Sequence, residues 1–172
     1  MPINYRLYNP LDKKTKNDYL REMIEEVIRW GVKPDTVTTD CWYASKKNFK
    51  FFRDKELNFQ VGIAKNRHVK REGKNYDRGE NLEFSEEGLR VTLKAFGIIK
   101  VFKRTFKDGS CRYYATFRVK ESELSNWDRS QFRELQSIHW GIECYHRALK
   151  QLCGLSKFQV RKTEAIITHV FW

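Results

Sequence analysis

The chain is poor in proline and glycine, with 3 and 9 of its 172 residues. This scarcity excludes collagen-like repeats and low-complexity disordered classes. Long apolar runs are also lacking, and the N-terminus has no apolar core of a signal peptide. We therefore expect one globular chain with no membrane partner and a cytoplasmic location.

Cysteine is sparse and unpatterned. None of the four cysteines forms a C-x-x-C pair or stands at zinc-ligand spacing from a histidine. A disulfide framework and a structural zinc site are therefore not indicated, and a reduced intracellular chain is the simplest interpretation. The four are Cys41, Cys111, Cys144 and Cys153.

Basic residues, in contrast, are abundant. There are 34 Lys and Arg against 22 Asp and Glu, a formal net charge of +12. Because this excess is spread along the chain, it predicts a folded basic face whose natural partner is a polyanion, with nucleic acid first. An ordinary basic surface without such a partner remains the alternative.

The first 65 residues alternate strand and helix patterns, which predicts an α/β domain with parallel strand pairs. The first helix has Thr15 or Asn17 as its N-cap and Gly31 as its end, and the second strand ends on Asp40. The predicted elements are strand 2–8, helix 15–31, strand 35–40, helix 45–56 and strand 58–66.

Residues 66–124 differ from the preceding residues in their residue pattern and are predicted to form a mainly β insertion. The polar start of this segment, 65–88, indicates a loop, and the remainder is rich in strand patterns. Asp108 and Gly109 are a hairpin signal between two of these strands.

Residues 125–172 are predicted to be helical and to complete the α/β core that begins with residues 1–65. Ser125 and Asp128 have the spacing of a capping box, and Gly154 is a suitable C-terminal stop for the helix that follows. A further helix is expected after Lys162.

The long helix has a polar face centred on Glu143. At 100° per residue, the side chains within about 60° of Glu143 are those of Gln136, His139, Trp140, His146, Arg147 and Lys150. Such a face is often the solvated side of an amphipathic helix, where ion pairs contribute only a few tenths of a kcal/mol.

Two motifs nevertheless resemble those of DDE-type insertion-sequence transposases with the signature Y-x2-R-x3-E-x6-K. Glu143 and Lys150 match the E-x6-K half within "WGIE…LKQ". "VTTDCWYAS" resembles the segment that carries the second catalytic aspartate, here Asp40. The strands around "RYYATF" resemble the β insertion of this family. The resemblance is collinear over nearly the whole chain.

This resemblance implies an RNase H-like mixed sheet flanked by helices, with the β insertion before the glutamate helix. It implies that Asp40 and Glu143 are catalytic ligands of Mg²⁺ or Mn²⁺ and that Lys150 contacts DNA phosphate, with Arg147, His139 and His146 as weaker candidates. Terminal-repeat and target DNA are the implied partners, in a bacterial cytoplasm where DNA ties the protein to the nucleoid. A transposase homodimer stays open.

The match to the signature is incomplete. Gln136 occupies the tyrosine position and His139 the arginine position, and histidine lacks the bidentate fork that arginine offers a phosphate. Three carboxylates are needed to hold two metal ions about 3.5–4 Å apart. We expect the first aspartate and its strands to be missing, so that the chain is a fragment of the catalytic domain without strand-transfer activity.

Other interpretations stay open at this stage. A binding module that modulates an intact transposase, a decayed gene product, and another nuclease with Glu134 or Asp54 as third carboxylate are the alternatives. Trp42 fits either core packing or stacking on an unpaired base, and core packing is favoured for Trp140. Further DNA contacts are predicted in the loop region, at Lys65, Arg67, Lys70 and Arg71.

Overall fold

The computed structural model describes Asn4, Arg6 and residues 9–151. The predicted first strand, the stop at Gly154 and the last helix lie outside the described residues. The chain divides into two compact units, Met1–Leu135 and Gln136–Trp172.

The first helix, α1 (Lys16–Arg29), begins and ends where the sequence predicts. Thr15 and Asp18 form a reciprocal capping box, in which the Thr15 side chain accepts from the backbone N–H of Asp18. At the other end Gly31 adopts a φ of 83°. That left-handed conformation lets the N–H of Val32 reach the carbonyl of Val27 at 3.2 Å, the bond that closes a Schellman motif.

A parallel strand pair follows, as predicted. Strand β1 (Thr36–Thr39) pairs in parallel with β2 (Asn58–Ile63), and helix α2 (Lys46–Asp54) connects them. Phe49 of α2 stacks on Phe59 of β2 with ring centroids 4.8 Å apart. The connecting helix is therefore held to the sheet by its aromatic face.

The strands of the predicted β insertion continue the same sheet. Within the described residues seven strands form one sheet in the order β1-β2-β7-β6-β5-β3-β4. β2 pairs antiparallel with β7, and β6 turns into β7 through the predicted hairpin, where Gly109 has a φ of 80°. The later strands are β5 (Leu89–Leu93), β6 (Gly97–Thr105) and β7 (Cys111–Phe117).

Part of the segment predicted as loop is strand. β3 (His68–Lys70) and β4 (Tyr76–Arg78) form a short hairpin at one end of the sheet. Three-residue strands with charged side chains carry too little periodicity to be recognised. Their pairing depends on β5, which provides the neighbouring hydrogen-bonding edge.

The predicted start of the long helix is wrong by a few residues. A short helix α3 (Glu121–Asn126) contains Ser125, and the long helix α4 spans Arg129–Gln151. The capping box is formed by Asp128 and Gln131 instead: Asp128 Oδ1 accepts from the N–H of Gln131 at 2.9 Å, and Gln131 Oε1 accepts from that of Asp128 at 3.0 Å.

Apolar side chains cover both faces of the sheet in the first unit. Neighbouring residues of one strand serve opposite faces, because side chains alternate along a strand. Val101 joins the larger cluster with α1 and α2, whereas Phe102 joins a smaller one with Phe132 of α4. Helices therefore pack on both sides, which is an α/β arrangement. Among the described residues, no helix is both long and apolar enough to span a membrane.

Candidate active site

Asp40 lies at the carboxyl end of β1, as the sequence predicts. It caps a 3-10 turn, Cys41–Tyr43, by accepting a hydrogen bond from the backbone N–H of Trp42 at 2.9 Å. The side chain is exposed. Because one carboxylate oxygen is held by this turn, the group is oriented while it stays accessible to a ligand.

Gly62 of β2 permits the close approach of this turn to the sheet. A Cβ added at Gly62 would lie 3.1 Å from the backbone nitrogen of Cys41 and 3.5 Å from the carbonyl carbon of Asp40. Gly62 is not among the predicted site residues. The available signal was a glycine inside a strand pattern, which often marks a close backbone approach.

Tyr43 closes the turn on its buried side. Burial, and to a smaller extent the Asp40 carboxylate, raise the pKa of the Tyr43 phenol above its ordinary value. The Tyr43 carbonyl accepts from Asn48 Nδ2 at 2.9 Å. Asn48 is fully buried and also donates to Asn17 Oδ1 of α1 at 2.6 Å. A single amide thus joins the turn after Asp40 to the first turn of α1.

Trp42 projects from the same turn and is 79% exposed. Core packing is therefore the wrong interpretation for this residue. The ammonium group of Lys16 lies 6.0 Å from the ring centroid. An exposed indole beside a lysine and an oriented carboxylate is a surface on which a base can stack while its phosphate meets a positive charge.

The predicted loop contacts have different environments. Lys65 forms an ion pair with Glu80 at 3.4 Å. Arg67 is half-buried, donates to the Ala44 carbonyl at 2.9 Å and lies over the Phe49 ring at 5.6 Å. Burial lowers the pKa of its guanidinium.

The two remaining loop candidates face solvent. Lys70 ends β3, and Arg71 begins the turn that follows. Both are exposed, and neither forms an ion pair within the part of the chain that the structure describes. Of the loop candidates, these two are exposed and also lack an ion pair among the described residues.

The first turn of α4 is fixed to the sheet. Phe132 stacks on Phe102 with ring centroids 4.6 Å apart, and its carbonyl accepts from Gln60 Nε2 of β2 at 3.2 Å. Arg129 Nη1 donates to the carbonyl of Lys103 at 3.0 Å. These contacts fix the first turn of α4 within the first unit.

The second unit contains the polar face predicted around Glu143. The residues lie on a continuous helix, so the predicted spacing holds within α4. Glu143, His146, Arg147 and Lys150 are exposed and His139 is partly buried. The Arg147 guanidinium lies 5.6 Å from the ring centroid of Trp140, and the rings of Tyr145 and His146 are 6.0 Å apart.

Trp140 differs from its predicted environment. Its side chain is 54% exposed, so core packing is the wrong interpretation here as well. The Arg147 guanidinium contacts one face of the indole in a cation–π interaction.

Neither unit by itself contains a two-metal centre within the described residues. Asp40 and Glu143 lie in different units, and each is described in its own unit only. Among residues 4, 6 and 9–151, no three His, Cys, Asp or Glu side chains gather as a metal site would require. Within each unit, the described residues therefore do not form a three-carboxylate site.

Comparison with known proteins gives one family. The family described as Transposase DDE domain matches residues 1–172, the whole chain. Searches of curated proteins and of solved structures each found no match. The mixed seven-stranded sheet of the described residues, with helices on both faces, is the α/β arrangement of an RNase H-like DDE domain. The chain therefore belongs to the DDE transposase family.

Proposed function

We propose that this chain is part of the catalytic domain of a transposase that cleaves and joins DNA strands in transposition. The observation that carries the proposal is the position of Asp40 at the carboxyl end of β1, in a chain that matches the family throughout. Members of the family act on DNA and generally use a divalent metal ion. In the intact enzyme, Asp40 and Glu143 supply two of the carboxylates that bind Mg²⁺ or Mn²⁺.

On its own, the chain is proposed to bind DNA without cutting it. Two divalent ions need three carboxylates, and the sequence offers only Asp40 and Glu143 at positions that match the motifs of the family. A non-catalytic binding module that competes with an intact transposase for terminal repeats is the second candidate function, favoured by the same observation. Binding takes place in the cytoplasm, where DNA keeps the protein at the nucleoid.

The proposed phosphate contacts lie on the polar face of α4 and near β3. Lys150 is the first of these, with Arg147, His139 and His146 beside it on the helix. Lys65, Lys70 and Arg71 extend the basic surface in the first unit. For Arg67, the bond to Ala44 and the ring contact with Phe49 favour anchoring of the loop.

Plasmid nicking tests the catalytic part of the proposal. The chain is incubated with supercoiled plasmid and Mg²⁺ or Mn²⁺, and the conversion to open circles is measured on a gel. We expect no nicking above the metal-only background. Robust nicking that is abolished by Glu143→Gln and preserved in Glu134→Gln, a matched change on the same helix, would contradict the proposed inactivity.

DNA affinity tests the binding part. Fluorescence anisotropy with a labelled random-sequence duplex measures Kd at increasing salt concentration. A basic face that neutralises phosphates must lose affinity steeply with salt, because bound counterions are released. No binding at low salt would contradict the role of DNA as a partner.

A further inference from the structure

The hairpin between β6 and β7 places two arginines opposite each other. Arg104 and Arg112 are directly paired in the register of the two strands. Like charges at directly opposed positions destabilise a sheet. This arrangement therefore needs a compensating partner, either inside the protein or outside it.

Part of the compensation comes from one aromatic ring. The guanidinium carbons of Arg104 and Arg112 lie 4.8 Å and 5.0 Å from the ring centroid of Phe106. The Phe106 backbone N–H donates to the carbonyl of Ser110 at 2.9 Å, which fixes the ring at the base of the turn. Both cations are thus held close to the same ring, which does not neutralise their charge.

No carboxylate of the described residues lies within ion-pair distance of either guanidinium, although the pKa of Asp108, lowered mainly by hydrogen bonds from Ser110, is also lowered a little by the charge of Arg112. Within that part of the chain, neither guanidinium forms an ion pair or donates a hydrogen bond. Asp108, the acidic residue of this hairpin, accepts from the N–H and the hydroxyl of Ser110, which lie 2.9 Å and 2.7 Å from its Oδ1. By contrast, Arg129 next to this hairpin has Glu86 at 3.1 Å.

The surroundings add positive charge. Lys103 and Lys107 belong to the same hairpin, and neither forms an ion pair among the described residues. Four cations and one carboxylate therefore share the ten residues from Lys103 to Arg112. Lys103 and its neighbour Arg104 serve opposite faces of the sheet, so Lys107 in the turn is the lysine that can add to the arginine pair. These cations and the unused guanidinium donors match a ligand with several anionic oxygens.

We propose that the hairpin Lys103–Arg112 is a binding site for the phosphodiester backbone of duplex DNA, with Arg104 and Arg112 donating to the phosphate oxygens. The inference rests on the proposed function, because DNA is the ligand in both. A phosphate between two guanidiniums replaces their mutual repulsion by two charge-assisted contacts of fork geometry. Phe106 keeps both side chains in place before the DNA arrives, which lowers the entropy lost on binding.

The test compares Arg104→Gln/Arg112→Gln with the parent chain in anisotropy titrations with a labelled random-sequence duplex. If both arginines neutralise phosphates, the slope of log K against log salt becomes shallower by about 1.8, since each phosphate on duplex DNA contributes about 0.9. We expect at least a tenfold loss of affinity at low salt. The matched control is Lys33→Gln/Lys50→Gln, which removes the same charge from exposed positions elsewhere in the first unit and should change the slope by less than half as much.

A second double variant distinguishes a loss of DNA contacts from a loss of folding. Arg104→Lys/Arg112→Lys keeps both charges but lacks the planar fork, so the salt slope should be retained while affinity falls several-fold. Parent-like affinity and slope in both double variants would overturn the inference and leave DNA binding by the parent intact. Failure of the parent chain itself to bind the duplex would overturn the proposed function together with it.

Discussion

Gly62 is a residue whose missing side chain shapes the candidate site. Replacement by alanine adds a methyl group 3.1 Å from a backbone nitrogen of the turn after Asp40. Backbone atoms cannot rotate away as a flexible side chain would, so we expect Gly62→Ala to lower the free energy of unfolding by about 1–3 kcal/mol. Thermal or urea unfolding followed by circular dichroism measures this.

Gly141→Ala is the matched control for this substitution. Gly141 lies in α4 with nothing within 4 Å of an added Cβ. Alanine favours a helix over glycine by up to about 1 kcal/mol, so stability should be unchanged or higher. Equal behaviour of the two variants would contradict the close-approach role of Gly62.

Trp42 is the second residue with a direct prediction. We expect Trp42→Ala to weaken binding to a single-stranded oligonucleotide by about 1–3 kcal/mol, the loss of one base–aromatic stack. The melting temperature should be unaffected, because the indole is 79% exposed. Anisotropy with a labelled single strand gives the affinity. Trp30→Ala, at another exposed tryptophan, should leave it unchanged; an equal loss in both variants would contradict a specific role of Trp42.

Single residues show where sequence reasoning succeeds. Asp40 was identifiable because a β-branched strand stops at it, and a strand end is local information. The buried contacts of Asn48 and Arg67 were not predictable, although Arg67 was predicted as a DNA contact, because their partners are distant in the chain: Asn17 for the first and Ala44 for the second. In the sequence, a buried asparagine or arginine within a polar segment cannot be distinguished from a surface residue, because its hydrogen-bond partner is known only from the fold.

At the scale of elements, the start of α4 carries a prediction. Asp128→Ala removes the side-chain acceptor that satisfies the N–H of Gln131, and N-cap loss costs about 1 kcal/mol. We expect this loss in chemical denaturation. Ser125→Ala should cost less, because the Ser125 hydroxyl donates only to the Glu121 carbonyl of the preceding short helix and accepts from Arg90. A larger stability loss for Ser125→Ala than for Asp128→Ala would favour the capping box of Ser125 and Asp128 that the sequence indicated.

Most helices and the longer strands of the described chain were predictable from periodicity and capping. Thr15, one of the two predicted caps, is the N-cap of α1, and β1 ends at Thr39, one residue before the predicted strand end at Asp40. The short β3–β4 hairpin was not predictable because three residues supply one alternation at most. The break between α3 and α4 was missed for another reason: Ser125 and Asp128 have capping-box spacing, and only the packing of Trp127 and Phe132 in one cluster shows where the chain bends.

For the whole molecule, acid stability follows from three carboxyl groups with lowered pKa values. Hydrogen bonds from Thr15 lower that of Asp18, a bond from Arg6 lowers that of Glu26, and bonds from Ser110 lower that of Asp108. The ordinary values are 3.8 for aspartate and 4.5 for glutamate. A carboxyl whose pKa is lower in the folded state stabilises the fold fully above its unfolded pKa. That stabilisation is lost as pH falls through the folded value.

We therefore expect the melting temperature to be flat from neutral pH to about 5 and to decline below about pH 4. The measurement is a series of thermal melts across this range. Asp18→Asn should flatten the acid decline, whereas Asp54→Asn, at an exposed residue, should leave it as in the parent. A stability that rises on acidification would contradict the assignment.

The strand order of the sheet also affects how the chain folds while it is being synthesised on the ribosome. The second neighbour of β2 in the sheet is β7. Ile63 therefore pairs with Tyr113, although about 50 residues separate them in the chain. The chain loses the entropy of closing this long loop before the strand pairing contributes any stability, and this slows folding. Until Phe117 has left the exit tunnel, β2 presents an open hydrogen-bonding edge. A nascent chain that stalls or ends before Cys111 keeps that edge, and β2 is then free to pair with a strand of another chain.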